Sequence, residues 1–309
     1  MNWKKILPVI GIVIFVYLIK KIGVGTILKN FEGINYFYFA IVIALVPIIL
    51  LLQVTKWILI LKEQKIDLKF SLAFKYYVLS VFYGFVTPGR VGALVRASYM
   101  KDEIKKPWLA CVSSIVLERI LDLIVIFGLA IIGIIVLSEF FGAFLLTLII
   151  VIAAFIVGCV LLLWGKTSNF IFKKVWQFLL PPKFKKESDK AFSDFYNNLI
   201  GIKKLILPFL FTFLTWCAIY IQSYFAGKSF GIDLSWLIFL IVVPIGTIMV
   251  MLPISISGLG TREVTLAYLF SFFGIAADKV VSFSLTVFVL NAIIPLILVL
   301  LSFRTVLKK

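Results

Sequence analysis

The sequence has no histidine, only 14 acidic residues among 309, and three cysteines set far apart. Each shortage removes a class of function. Without histidine there is no imidazole general base, no His-liganded metal centre and no Ser-His-Asp hydrolysis. Cys111, Cys159 and Cys217 all lie inside apolar runs, so neither a CxxC metal site nor a disulfide framework is spelled out. Charged residues make up 15% and hydrophobic residues 63% of the chain. Soluble domains carry roughly 25% and 45–50%. A water-soluble globule could not cover that much apolar surface, which excludes a cytosolic enzyme. No cofactor and no metal are expected.

What the chain does have is basic charge in an apolar setting: 31 Lys and Arg give a net charge of +17. Nucleic-acid binding needs a solvated basic face, and most of this chain offers none, so no nucleic-acid partner is expected. A membrane uses lysines differently. In cytoplasmic loops they fix orientation and meet anionic lipid. Lys4 and Lys5 precede apolar residues 6–19, as in a signal peptide, but Lys20 and Lys21 follow instead of a cleavage site. The segment reads as a retained first span.

Spans of about 20 apolar residues fall at 6–22, 36–61, 109–137, 140–164, 205–226 and 280–302. Two further apolar regions are interrupted: 71–100 at Thr87-Pro88-Gly89-Arg90, and 236–275 at Pro253 and Gly258-Leu259-Gly260. The stretch 165–204 holds nine lysines and three acids and reads as a cytoplasmic loop with surface-lying amphipathic helices. With this loop, residues 62–75 and the C-terminal tail inside, both termini are cytoplasmic; Lys20, Lys21 and Lys29 then break the positive-inside pattern. Trp57, Trp108 and Trp164 fall at inner helix ends, as interfacial anchors do.

Each interrupted region must enter and leave on one side. Each is therefore a re-entrant hairpin, the plain alternative being two full spans. The order span, hairpin, span occurs in 1–164 and again, inverted, in 205–309. Inverted repeats with broken helices near the midplane are a transporter pattern. The expected fold is an all-α polytopic membrane protein, a single domain over 1–309. It has about six full transmembrane helices plus two re-entrant helical hairpins in an inverted-repeat arrangement.

The chemistry sits at the breaks. Pro88 and Gly89 leave backbone N–H groups without partners, which apolar surroundings tolerate only where the backbone lines a cavity or packs in protein. Arg90 supplies a fixed fork of donors suited to phosphate, and Arg96 lies near the same opening; alternatively Arg90 ties down the turn. In the second break, Gly258 and Gly260 permit a tight turn and Thr261 is placed to cap a helix starting at Arg262. With Ser255, Ser257 and Arg262 this makes an anion site at a helix N-terminus, or else a capped helix with an Arg262–Glu263 surface pair. Glu118, Arg119 and Asp122 lie within one span, the two acids on one face. They form a structural salt bridge, or a charge partner for Arg90 or Arg262, or a proton-coupling carboxylate. Lys56 and Gln53 read as snorkelling, interfacial residues. Six charges near helix centres would cost on the order of 15–20 kcal/mol, so they must share a hydrated or mutually paired centre.

The strings TPGRVGALVRASYM, SSIVLERILDLIVI and LPISISGLGTREVTLAYLF, in this order, resemble the lysylphosphatidylglycerol synthase transmembrane region, also called flippase-like. The resemblance implies a polytopic α-helical protein that handles lipids. In fused relatives this region is associated with moving an aminoacylated phospholipid between leaflets. Where that family often has an acid shortly after the Pro-Gly-Arg, this chain has Ala93, so no carboxylate role is carried over there. Fused relatives add a soluble transferase domain; the sequence ends at Lys309, and lipid aminoacylation is not expected of it.

The leading expectation is a non-enzymatic lipid flippase or transporter of the cell membrane. It would bind an anionic or phosphate-bearing headgroup of a phospholipid or isoprenoid phosphate in a polar centre between the hairpins. The alternatives are an intramembrane lipid-modifying transferase, acting on lipid-linked sugars for instance, and a membrane anchor for a separately encoded lipid-modifying enzyme.

Overall fold

The computed structural model describes residues 16–87, 91–105, 108–141, 150, 153, 157, 200–251, 255 and 257–306. All regular secondary structure among these residues is helical. After helical residues 16–22 come α1 (Val24–Glu32), α2 (Tyr36–Glu63), α3 (Phe70–Val86), α4 (Val95–Ile104) and α5 (Trp108–Val136). The second half supplies α6 (Ile206–Ser229), α7 (Trp236–Met251), α8 (Thr261–Ser271) and α9 (Ala277–Val306). The expected spans 6–22 and 140–164, and the loop 165–204, lie largely outside the described residues, as does Trp164.

Length separates two kinds of helix. The four long ones have 28, 29, 24 and 30 residues. At 1.5 Å per residue they measure about 36–45 Å, more than the ~30 Å hydrocarbon layer. The stretches Tyr36–Glu63, Cys111–Val136, Lys203–Ser229 and Ala277–Pro295 are each long and apolar enough to cross a membrane. The hairpins are built differently. Their first arms have 17 and 16 residues and their second arms 10 and 11. A second arm therefore rises only about 15–17 Å, half a bilayer. Apolar side chains stand exposed along the outer faces, Phe37, Ile48, Leu210, Leu237 and Ile293 among them, which suits a surface solvated by lipid.

The two halves exchange partners. α6 packs along α2; α7, from the second hairpin, packs on α5 of the first half; α3, from the first hairpin, packs on α9 of the second. The first arm of each hairpin thus leans on the opposite half. Close approach is visible at Gly133 of α5, where a Cβ would come within 2.1 Å of the Ile241 carbonyl oxygen on α7. Only a residue without a side chain admits this crossing.

Two apolar clusters flank the middle. One, in the first half, gathers Trp57, Leu61, Tyr77, Met100 and Ile115. The other is larger and joins α5 to the second half around Phe239, Phe270 and Phe283. Those three rings lie 5.1–5.7 Å apart in tilted and edge-on contact, the arrangement that aromatic quadrupoles favour. Trp57 is 0% exposed and its Nε1 donates to Ser114 Oγ at 3.1 Å. This corrects the interfacial reading of Trp57: a ring with a buried hydroxyl to bond stabilises more inside than at the headgroups. Trp108 is partly exposed.

Candidate functional site

Polar groups concentrate where the two halves meet. Glu118 and Asp122, one turn apart on α5, both face α2, and Lys56 of α2 comes between them. Its Nζ lies 2.7 Å from Asp122 Oδ1 and 3.2 Å from Glu118 Oε1. Lys56 is 1% exposed, so it does not snorkel. It sits seven residues from the end of α2, about 10 Å along the axis, and two carboxylates hold it there. Glu118 also accepts from Tyr77 Oη at 2.8 Å and pairs with Arg96 of α4. The Arg96 guanidinium lies between two rings, 4.6 Å from the Trp57 centroid and 4.8 Å from Tyr77, a desolvated cation–π arrangement. From the second half, Trp216 of α6 donates its Nε1 to Asp122 Oδ1 at 2.9 Å. Arg119 Nη1 stands 3.9 Å from Asp122 Oδ2, and its side chain keeps 32% exposure.

The second hairpin carries its own pair. Arg262 binds Glu263, and its Nη2 donates to the Ser284 carbonyl at 3.3 Å. Glu263 is 0% exposed and accepts from Ser284 Oγ at 3.0 Å, so the pair is internal and not on the surface. The helix begins one residue earlier than expected. Thr261 is its first residue, and the acid of Glu263 reaches back to the Gly260 N–H at 2.7 Å. Thr261 therefore does not cap; its hydroxyl donates to the Gly258 carbonyl and lies 3.0 Å from Ser255 Oγ. The Gly260 N–H at this N-terminus already serves a carboxylate of the chain itself.

The two breaks touch. Ser257 has φ +49°, a left-handed conformation unusual for a side chain other than glycine. This turn aims its hydroxyl at the C-terminal end of α3, where it donates to the Phe85 carbonyl at 2.9 Å and lies 3.4 Å from that of Gly84. Carbonyls left over at a helix end in one hairpin are thus met by a hydroxyl from the other. On the first side the turn is closed by Thr87, whose Oγ1 donates to the Tyr83 carbonyl and accepts from the Gly92 N–H, both at 2.8 Å. Arg90 lies outside the described residues.

Between these groups lies a cavity of about 150 Å³, lined from both halves, enough for about five waters. Arg96, Arg119, Asp122 and Arg262 face it, with Gln53 among the other lining residues. Counting the buried partners behind them, the described residues place four cations (Lys56, Arg96, Arg119, Arg262) around three carboxylates (Glu118, Asp122, Glu263), leaving one positive charge in excess. The Nε of Arg96 has no hydrogen-bond partner among the described residues. The site can therefore receive an anion: donors are in place and one charge is uncompensated.

Sequence reasoning picked out Arg96, Glu118, Arg119, Asp122 and the 255–263 string. It missed Lys56 as a buried partner, and also Tyr77, Trp216, Ser284 and the Asn291–Gln222 amide pair, which bonds at 2.9 Å between α9 and α6. An isolated amide in an apolar span was the available signal for that pair.

The lysylphosphatidylglycerol synthase transmembrane region matches residues 6–298 of the chain. A UPF0104 membrane protein of Pyrococcus horikoshii is 21% identical over 306 residues, a match that takes in 92% of this chain and 90% of the relative. The all-helical architecture with several apolar spans is consistent with that match, and the chain belongs to the lysylphosphatidylglycerol synthase transmembrane-region family.

Proposed function

We propose that the protein moves a lipid between leaflets, binding its phosphate-bearing headgroup in the cavity between the two hairpins while the tails stay in the bilayer. One observation carries this: the cavity is built jointly by both halves and lined by guanidinium groups that its carboxylates do not fully neutralise. A phosphate would complete the charge balance and take free donors of Arg119 and Arg262. Inverted hairpins meeting through one hydroxyl contact offer a way to open each side in turn. The lysine distribution supports a cell-membrane location with both termini cytoplasmic.

The test is translocation of tail-labelled phosphatidylglycerol in proteoliposomes, read by dithionite quenching. Arg119→Gln and Arg262→Lys, checked for monodisperse folding, should each slow exchange about tenfold or more, since one charge-assisted hydrogen bond is worth ~1.5–3 kcal/mol. Wild-type rates in both variants overturn the assignment.

A further inference from the structure

We propose that α1 is an interfacial helix that lies against the bilayer surface and gathers anionic lipid, at the end of the bundle opposite Lys62 and Lys204. This surface is separate from the cavity, and lipid movement through the cavity could fail without touching it.

The neighbours of α1 fix its level. Its last residue, Glu32, stands three residues before Asn35, whose side chain caps the first turn of α2 by accepting from the Phe37 N–H at 3.1 Å. Asn30 Nδ2 donates to Asp278 Oδ2 at 3.0 Å and to Ser282 Oγ at 3.2 Å, in the opening turns of α9. Both α2 and α9 are long enough to span, so α1 sits where two spans enter the membrane. Tyr36 and Phe37 stand exposed at the same level, as the rings of an aromatic girdle do. The basic end is the other one, where Lys204 lies 3.5 Å from Glu63 at the close of α2.

Helical periodicity divides the nine residues of α1 into three sides. Ile27 and Asn30 face the protein, Ile27 buried against Leu18 and Val281. Val24, Leu28 and Phe31 form one exposed apolar stripe. Gly25, Thr26 and Lys29 fall on the remaining side, also exposed. A docked helix with an apolar stripe beside a polar side is the form that lies in the headgroup boundary. Gly23, with φ +91°, ends the helical residues 16–22 directly before it and lets the chain change direction. A second copy of the chain is a poor occupant, because three side chains are few against the ~800 Å² per partner of a stable interface.

Charge selects the lipid. Lys20, Lys21 and Lys29 are all exposed. The positive-inside pattern accounts for the lysines around Lys62 and Lys204 and leaves these three without a role. The acids beside them are Glu32 and Asp278, and Asp278 is engaged by Asn30. An anionic headgroup layer gives the lysines their counter-charge while the stripe enters the acyl boundary.

The test uses the full chain freed of its three native cysteines and labelled with bimane at Leu28→Cys, in phosphatidylcholine liposomes. Quenching is read with phosphatidylserine or phosphatidylcholine carrying a doxyl group near the head of one acyl chain. Both should quench, the serine lipid at about one-fifth the mole fraction, the effect of one lysine near an anionic surface. High salt should weaken that preference, and Lys20→Gln, Lys21→Gln and Lys29→Gln together should abolish it. A label at Ile293→Cys, on the exposed face of α9, should be quenched equally by the two lipids. Quenching at 293 with none at 28 puts α1 outside the membrane and overturns the proposal. Equal quenching at 28 in the chain with its lysines intact overturns the anionic preference. Protection of position 28 that grows with protein concentration assigns the stripe to a second copy and overturns it as well.

Discussion

Replacing Glu118 with glutamine should be among the most damaging single changes in this protein, and the reason is charge count more than lost bonds. Glutamine keeps one acceptor oxygen, enough for Tyr77 Oη or for the Arg96 guanidinium but not for both, since they bond different oxygens of the carboxylate. What disappears is the negative charge that faces Arg96 on one side and Lys56, 3.2 Å away, on the other. All three groups are essentially buried. Removing one member of a buried pair costs about 3–5 kcal/mol, because the remaining charge is stranded; that is a large share of the ~5–15 kcal/mol that holds a typical domain together. Lys56→Met goes the other way. It removes a positive charge from a site with one in excess, and Arg119, already 3.9 Å from Asp122, is placed to take over that carboxylate. Its cost should be smaller than that of Glu118→Gln, because each carboxylate keeps a cation, Arg96 for Glu118 and Arg119 for Asp122. The double variant restores the original charge balance and should recover part of the Glu118→Gln loss, giving a coupling energy of about 1–3 kcal/mol. Reversible unfolding in mixed micelles, followed by the fluorescence of Trp57 and Trp216 within the cluster, reads all three. A Glu118→Gln variant within 1 kcal/mol of wild type, about the size of a single net hydrogen bond, or less harmed than Lys56→Met, would refute the charge argument.

Other consequences follow from single contacts. Gly133→Ala forces α5 and α7 apart at the Ile241 carbonyl, and should lower thermal stability by an amount equivalent to about 1–3 kcal/mol. Gly92→Ala meets the Tyr83 carbonyl oxygen at 2.2 Å and the Thr87 hydroxyl at 2.7 Å; it should disturb the first break and raise proteolysis between residues 83 and 95. Ser257→Ala removes the hydroxyl that reaches Phe85 from the other hairpin. It should cost about 1 kcal/mol and speed hydrogen exchange at the end of α3, an effect Ser255→Ala should not reproduce.

The long spans and both breaks were legible in the sequence because their signals are local. Apolar length marks α2, α5, α6 and α9. Gly258 and Gly260 mark the second turn, both with positive φ. Glu118 and Asp122 declared themselves as carboxylates in hydrocarbon. Their partners did not, because partnership depends on how helices dock. Lys56 read as interfacial until the docking of α5 on α2 placed two carboxylates beside it. Trp57 read as an interfacial anchor and Trp216 carried no signal of its own, yet each donates its indole N–H to a buried polar group, Ser114 and Asp122. The cap at the second break was misplaced by one residue: the helix starts at Thr261, Glu263 reaches back to the Gly260 N–H, and the Thr261 hydroxyl turns to the Gly258 carbonyl.

The claim on which function rests is that the two hairpin breaks meet around one shared cavity. Disulfide cross-linking in native membranes tests it most directly, using Phe85→Cys with Ser257→Cys in a chain freed of its three native cysteines. Bridging requires Cα atoms within about 7 Å. The contact between Ser257 and the Phe85 carbonyl predicts cross-linking, by oxidation or by a short bis-methanethiosulfonate that spans diverging side chains. Failure of this pair, while Asn30→Cys with Asp278→Cys cross-links across the 3.0 Å bond between those side chains, would contradict it.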